Sequence, residues 1–228
     1  MDHLEELRWR LIRIIVAVFV SAALALYFGE EIFRFAIRPL GDIQLHVTAI
    51  TGSFYSYLTV SLFAGLFAVI PYVFYQLWGF VAPGLYKTER RAILPAVLAS
   101  SVLFLLGAVF AFTLVIPFAI QYLVSFAGDV LTPIITVDSY LSFAGMMILS
   151  FGIGFNFPTV AFFLGKIGLV TADGLAKGRR LALVLIMIAA AILTPPDVFT
   201  QVLLGGPLYL LYELSIVLVR WTNPRDRV

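Results

Sequence analysis

Long apolar runs, interrupted by short charged or turn-forming stretches, organise this sequence. A helix needs about 20 predominantly apolar residues to cross about 30 Å of hydrocarbon. Four runs read as such spans: residues 11–28, 57–80, 93–116 and 140–164. Two shorter ones follow, 181–193 and 202–219, separated by the turn signal Thr194-Pro195-Pro196-Asp197. Consecutive prolines cannot continue a helix, so the pair reads as a hairpin of undersized spans in preference to one re-entrant element. The pattern predicts an all-α membrane protein, one integral-membrane domain over 1–228 with six transmembrane helices, the last two short. Pro71, Pro95, Pro158 and Pro207 fall inside spans and Pro117 directly follows the third, and proline in a helix interior bends it, so kinked helices are expected.

The basic residues orient this topology. Lys and Arg collect in short cytoplasmic loops of membrane proteins. With six spans and the N-terminus inside, 13 of the 15 Lys and Arg residues fall on the cytoplasmic side, only Arg34 and Arg38 lying outside. Fusing the last two spans would move the basic tail outside and destroy the asymmetry, so both termini are expected in the cytoplasm. Composition agrees: 62% of residues are hydrophobic and 12% charged, against about 45–50% and 25% in soluble domains, and mean hydropathy is +1.04. The N-terminal stretch looks superficially like a signal peptide. Acidic Asp2, Glu5 and Glu6 in its head and the apolar run continuing to Phe28 argue for a retained first helix.

Most catalytic chemistry is missing. The chain has no cysteine and only two histidines, His3 and His46, neither in an apolar run. No phosphate-binding loop or paired-histidine zinc motif is present, and no span holds the histidine base of a serine protease or two aspartates. An enzyme is therefore disfavoured, and no cofactor, metal or nucleic-acid partner is expected. A small-solute secondary transporter would need polar groups near the midplane, and Glu213 and Asn156 are its candidates.

Two constellations lie on the cytoplasmic side. His3-Leu4-Glu5-Glu6-Leu7-Arg8-Trp9-Arg10-Leu11 precedes the first span, with Leu4, Leu7 and Leu11 at helical spacing. Taken alone, Glu6 reads as an intrahelical partner of Arg10, worth about 0.3–0.5 kcal/mol. The stretch Tyr75-Gln76-Leu77-Trp78-Gly79-Phe80-Val81-Ala82-Pro83-Gly84-Leu85-Tyr86-Lys87-Thr88-Glu89-Arg90-Arg91 follows the second span, and Glu89 is the one acid in its loop. The first resembles the N-terminus of the TatC family and the second its first cytoplasmic loop. Thr194-Pro195-Pro196-Asp197-Val198-Phe199-Thr200-Gln201, with Pro207 and Tyr212-Glu213, resembles that family's last hairpin. Ile37-Arg38-Pro39-Leu40 and Thr136-Val137-Asp138-Ser139-Tyr140 are similar to its outer loops. The similarity runs the length of the chain, in order.

The resemblance implies a core subunit of the twin-arginine protein translocase in the cytoplasmic (inner) membrane. Such a subunit receives signal peptides and exports folded precursors at the expense of the proton motive force. It implies that Glu6 and Glu89 bind the arginine pair, with Phe80, Arg8 and Lys87 around them; a guanidinium fork matches a carboxylate bidentately. Implied partners are single-span TatA- and TatB-like subunits, further copies of the chain and membrane lipid. Asn156, Thr194 and Gln201 are the implied contacts to partner helices, and Pro39, Asp138 and Asp197 structural positions at the periplasmic boundary, where either aspartate could cap a helix. Many family members carry glutamate at the position of Asn156, so a titratable role there is not expected. From the residues alone, Asn156 could bond a carbonyl freed by Pro158, and Thr194 and Gln201 could satisfy turn backbone.

Overall fold

The computed structural model describes residues 2–41, 43–81, 93–126, 134–194 and 197–222 of the 228-residue chain. Helices dominate it. In chain order they are α1 (Asp2–Leu26), α2 (Gly29–Ala36), a 3-10 turn (Arg38–Leu40), strand β1 (Leu45–His46), α3 (Gly52–Ala68), α4 (Ile70–Val81), α5 (Ile93–Phe110), a π-helical turn (Ala111–Val115) and α6 (Ile116–Phe126). Strand β2 (Ile135–Thr136), α7 (Val137–Gly154), α8 (Phe157–Lys166), α9 (Ala172–Lys177), α10 (Arg179–Leu193) and α11 (Val198–Thr222) complete it.

Among the described residues, four helical stretches are long and apolar enough to cross a membrane: Leu4–Leu26, Ile93–Ser125, Val137–Lys166 and Val198–Trp221. A fifth is available if α3 and α4, bent by 56° at their junction, act together. These stretches leave large apolar side chains uncovered, as Phe19 and Leu24 of α1 do at 64% and 69% exposure. Such surface is compatible with lipid and not with water.

The prolines act as expected where they meet helix breaks. Pro71 stands at the second position of α4, just past the bend. Pro158 opens α8, where its missing N–H deprives nothing of a partner. Ahead of Pro117 the chain widens into the π turn, with the Ile116 N–H reaching the Ala111 carbonyl; the extra residue accommodates the proline ring without ending the helix. The expected short final span is not observed. Helix α11 has 25 residues, because Asp197 starts it four positions earlier than hydropathy alone suggested and Pro207 is held within it. Only α10, with 15 residues, stays short. The first span is also trimmed, ending at Leu26, since the chain turns at Tyr27 and Phe28 to begin α2.

The chain forms two compact units, one of 1–101 and 120–145, the other of 102–119 and 146–228. In the first, α1 packs along α3 so closely that a Cβ on Gly65 would lie 2.4 Å from the Ala22 nitrogen. Helix α2 lies on α3 through Phe33 and Tyr57, ring centroids 5.4 Å apart. The Tyr140 hydroxyl donates to the Ala36 carbonyl at 2.5 Å. Strands β1 and β2 pair in parallel, Leu45 with Ile135 and His46 with Thr136. Trp78 of α4 donates to Ser100 Oγ of α5 at 3.0 Å. In the second unit, Phe151 is fully buried between Phe110 and Phe155. Helix α8 meets α11 where Gly165 faces Val219, and α9 is covered by the Ala172–Ile216–Val219 cluster.

Candidate functional site

Helix α1 begins in the Leu4/Leu7/Leu11 turn, and its polar side presents Glu6 and, one turn on, Arg10. The spacing lets Arg10 Nε and Nη2 both donate to Glu6 Oε1, at 2.9 and 2.6 Å. The guanidinium also reaches across to α4. Its Nη1 donates to Gln76 Oε1 at 3.1 Å and, longer, to the Gln76 carbonyl at 3.4 Å. It lies against the bare backbone of Gly79, where a Cβ would sit 2.6 Å from Nη1. Gln76 is buried at 4% exposure, while Arg10 and Glu6 side chains are 21% and 35% exposed. Phe80 follows Gln76 by one turn of α4 and is half-buried; Arg8 is exposed. Glu6 is thus drawn to the last turns of α4, the helix that precedes Lys87 and Glu89 in the sequence. Those two residues lie outside the described residues.

The carboxylate arrangement is more than the expected intrahelical pair. Sequence reading placed Arg10 beside Glu6 but missed Gln76. The available signal was an amide inside an apolar run, which lipid would penalise unless it met a partner.

The implied partner contacts of the second unit are largely engaged within the chain. Asn156 is 6% exposed, and its Nδ2 donates to the Gly152 carbonyl at 2.9 Å. That carbonyl is open because the chain turns here and the Asn156 N–H bonds Ile153 instead. The freed carbonyl thus belongs to the break between α7 and α8, not to Pro158. Asn156 Oδ1 is buried without a hydrogen-bond partner among the described residues. Thr194 ends α10 and donates to the Ala190 carbonyl at 2.9 Å. Gln201 Nε2 donates to the Met187 carbonyl at 3.0 Å, tying α11 to α10.

Of the boundary residues, Asp197 is a true cap. Its Oδ1 accepts from the Thr200 N–H at 2.7 Å, and its Oδ2 takes the Thr200 hydroxyl. Asp138 is not; it sits in the first turn of α7, and Thr136 accepts from the Ser139 N–H at 3.3 Å in the capping position. Its charge is still favourable at a helix start. Pro39 lies in the 3-10 turn after α2. Glu213 accepts from Arg179 Nε and Nη2 at 2.7 and 2.9 Å and from the Tyr209 hydroxyl at 3.0 Å. The neighbouring Tyr212 hydroxyl donates to the Leu175 carbonyl at 2.7 Å. These bonds latch α9 and the start of α10 onto α11.

The chain matches the family of Sec-independent protein translocase proteins (TatC) over residues 2–207. It belongs to the TatC family. It is 40% identical over 225 residues to the Sec-independent protein translocase protein TatC of Helicobacter pylori, covering 99% of this chain and 90% of that protein. It is 39% identical over 221 residues to the TatC of Desulforapulum autotrophicum, covering 95% and 82%. A crystal structure of the twin arginine translocase receptor TatC superposes with a TM-score of 0.86 at 37% identity, covering 96% of this chain and 99% of that one. The chain is therefore a multi-pass membrane component of a Sec-independent protein translocase, as the sequence motifs indicated.

Proposed function

We propose that this protein is the signal-peptide receptor and core subunit of a twin-arginine translocase. In this reading it exports folded proteins across the cytoplasmic membrane, driven by the proton motive force. The observation that carries it is the Glu6 carboxylate held at the foot of α4 by Arg10, in a chain whose solved relative is named a twin arginine translocase receptor. Glu6 and Glu89 each receive one guanidinium of the arginine pair. Phe80 walls the site with apolar surface, which strengthens hydrogen bonds by excluding water, and Arg8 and Lys87 line its rim. A bond to a charged group sheltered this way contributes about 1.5–3 kcal/mol. Replacing signal arginines by lysines keeps the charge but loses the fork, so binding weakens.

The topology in this reading is one integral-membrane domain of six spans. The bent pair α3–α4 makes the second and α10 the fifth, with both termini in the cytoplasm, as the basic residues require. Fifteen residues of α10 extend about 22 Å, short of ordinary hydrocarbon, so the bilayer thins beside it. TatA- and TatB-like single-span helices dock near Asn156, Thr194 and Gln201. The engagement of Glu213 with Arg179 and Tyr209 weighs against a midplane solute site.

Crosslinking tests the reading. A labelled twin-arginine signal peptide should attach to photoprobes at positions 6 and 89, and Glu6→Ala or Glu89→Ala should abolish most binding. A variant that folds normally and binds the peptide as tightly as wild type would remove the proposal.

A further inference from the structure

We infer that Arg10, anchored by Gln76 and Gly79, is a positioning residue that sets the Glu6 carboxylate for an incoming guanidinium and thereby sharpens selection of arginine over lysine. The inference rests on the proposed binding role of Glu6 and assigns what places that group.

The geometry distinguishes this from an ordinary surface pair. An exposed i,i+4 pair is loose, and each long side chain samples several rotamers. Here the guanidinium is fixed from two helices at once. One edge gives both Nε and Nη2 to the same oxygen, Glu6 Oε1; Nη1 is committed to the buried Gln76. Because the guanidinium is planar, fixing Nη1 on α4 also fixes the plane in which Glu6 is gripped. Gly79 supplies the room, for a side chain there would displace Nη1. A lysine at position 10 has a point-like ammonium and cannot bridge Glu6 and Gln76 in one plane. The ordering of Glu6 is then complete before the peptide arrives, which raises affinity by preorganisation. It also restricts the approach to one direction, which rewards a ligand with a matching planar fork. Since the Arg10 charge offsets that of Glu6, attraction of any cation by net charge is reduced, and directional bonding carries more of the recognition.

The test uses the purified full-length chain in lipid nanodiscs and two labelled signal peptides, one with the arginine pair and one with two lysines. The protein variants are Arg10→Lys, Gln76→Leu and Glu6→Gln. Arg10→Lys keeps the charge and the helix pair; Gln76→Leu leaves both Arg10 and Glu6 in place and removes only the anchor. Each should weaken the arginine peptide about tenfold and the lysine peptide no more than about twofold, the size expected for one charge-assisted bond lost to disorder. The selectivity ratio should therefore fall. If both variants retain wild-type affinity and selectivity while Glu6→Gln loses binding, Arg10 is only a helix pair and the inference is overturned. Tighter arginine-peptide binding would also overturn it, because Arg10 would then be a competitor. Equal losses for both peptides would show general damage and no positioning role. Wild-type binding by Glu6→Gln would instead remove the underlying site.

Discussion

Substituting Gly65 by alanine should separate α1 from α3. An alanine Cβ at this position would stand 2.4 Å from the Ala22 nitrogen, 2.7 Å from its Cα and 3.0 Å from its Cβ. Non-bonded heavy atoms rest about 3.5–4.0 Å apart, so the shortfall is at least about 1 Å. Backbone atoms cannot rotate out of the way, and the two helices must part. Membrane helices associate largely through close packing, with small residues admitting near backbone contact, and a gap of 0.5–1 Å forfeits about a quarter to a half of each contact well. Overpacking costs about 1–3 kcal/mol, and alanine returns up to about 1 kcal/mol of helix propensity. The net is about 1–2 kcal/mol of destabilisation, or about 2–8 °C in apparent unfolding temperature for a chain of this size. Gly29→Ala is the matched control. It faces the same helix, but its Cβ would meet Tyr57 Cδ1 at 3.5 Å, an ordinary contact, so its effect should stay within about 0.5 kcal/mol. Thermal unfolding of detergent-solubilised protein, followed by loss of the monodisperse chromatographic peak, reads both. If Gly65→Ala melts at or above wild type, the close approach of α1 and α3 is wrong.

Other consequences follow from single bonds. Asp197→Ala removes the side chain that accepts from the Thr200 N–H and should cost about 1 kcal/mol; Asp197→Asn should recover most of it in the same melting assay. Tyr140→Phe leaves the Ala36 carbonyl without its 2.5 Å donor and should cost about 1–2 kcal/mol in the same melting assay. Glu213→Gln breaks the pair with Arg179. Limited proteolysis should then cut faster between α9 and α10, while affinity for a twin-arginine peptide stays at the wild-type value; loss of peptide binding would contradict the assignment of Glu213 to a latch.

Much of this protein was readable from residue order alone, because lipid imposes a severe constraint. Every backbone N–H and C=O in the bilayer must be satisfied within the chain, so long apolar runs have little choice but helix. The runs 93–116 and 140–164 correspond to α5 with its π turn and α7 with α8, and the motifs flanking the spans carried the family. Boundaries were less legible. Hydropathy started the last helix at 202, but the Asp197 carboxylate starts α11 at Val198, because a cap acts through one local hydrogen bond and not through apolar periodicity. The same limit hid Thr136 as the cap of α7 behind the acid beside it. Residue order placed Glu6 and Arg10 one helical turn apart, and that spacing is intrinsic to any α-helix. It could not show that Gln76, 66 positions from Arg10, closes on the same guanidinium, nor that Gly79 leaves room for it. Those contacts exist only because α1 and α4 are brought side by side, and packing between distant segments is decided by the fit of whole helix faces, which no local pattern records.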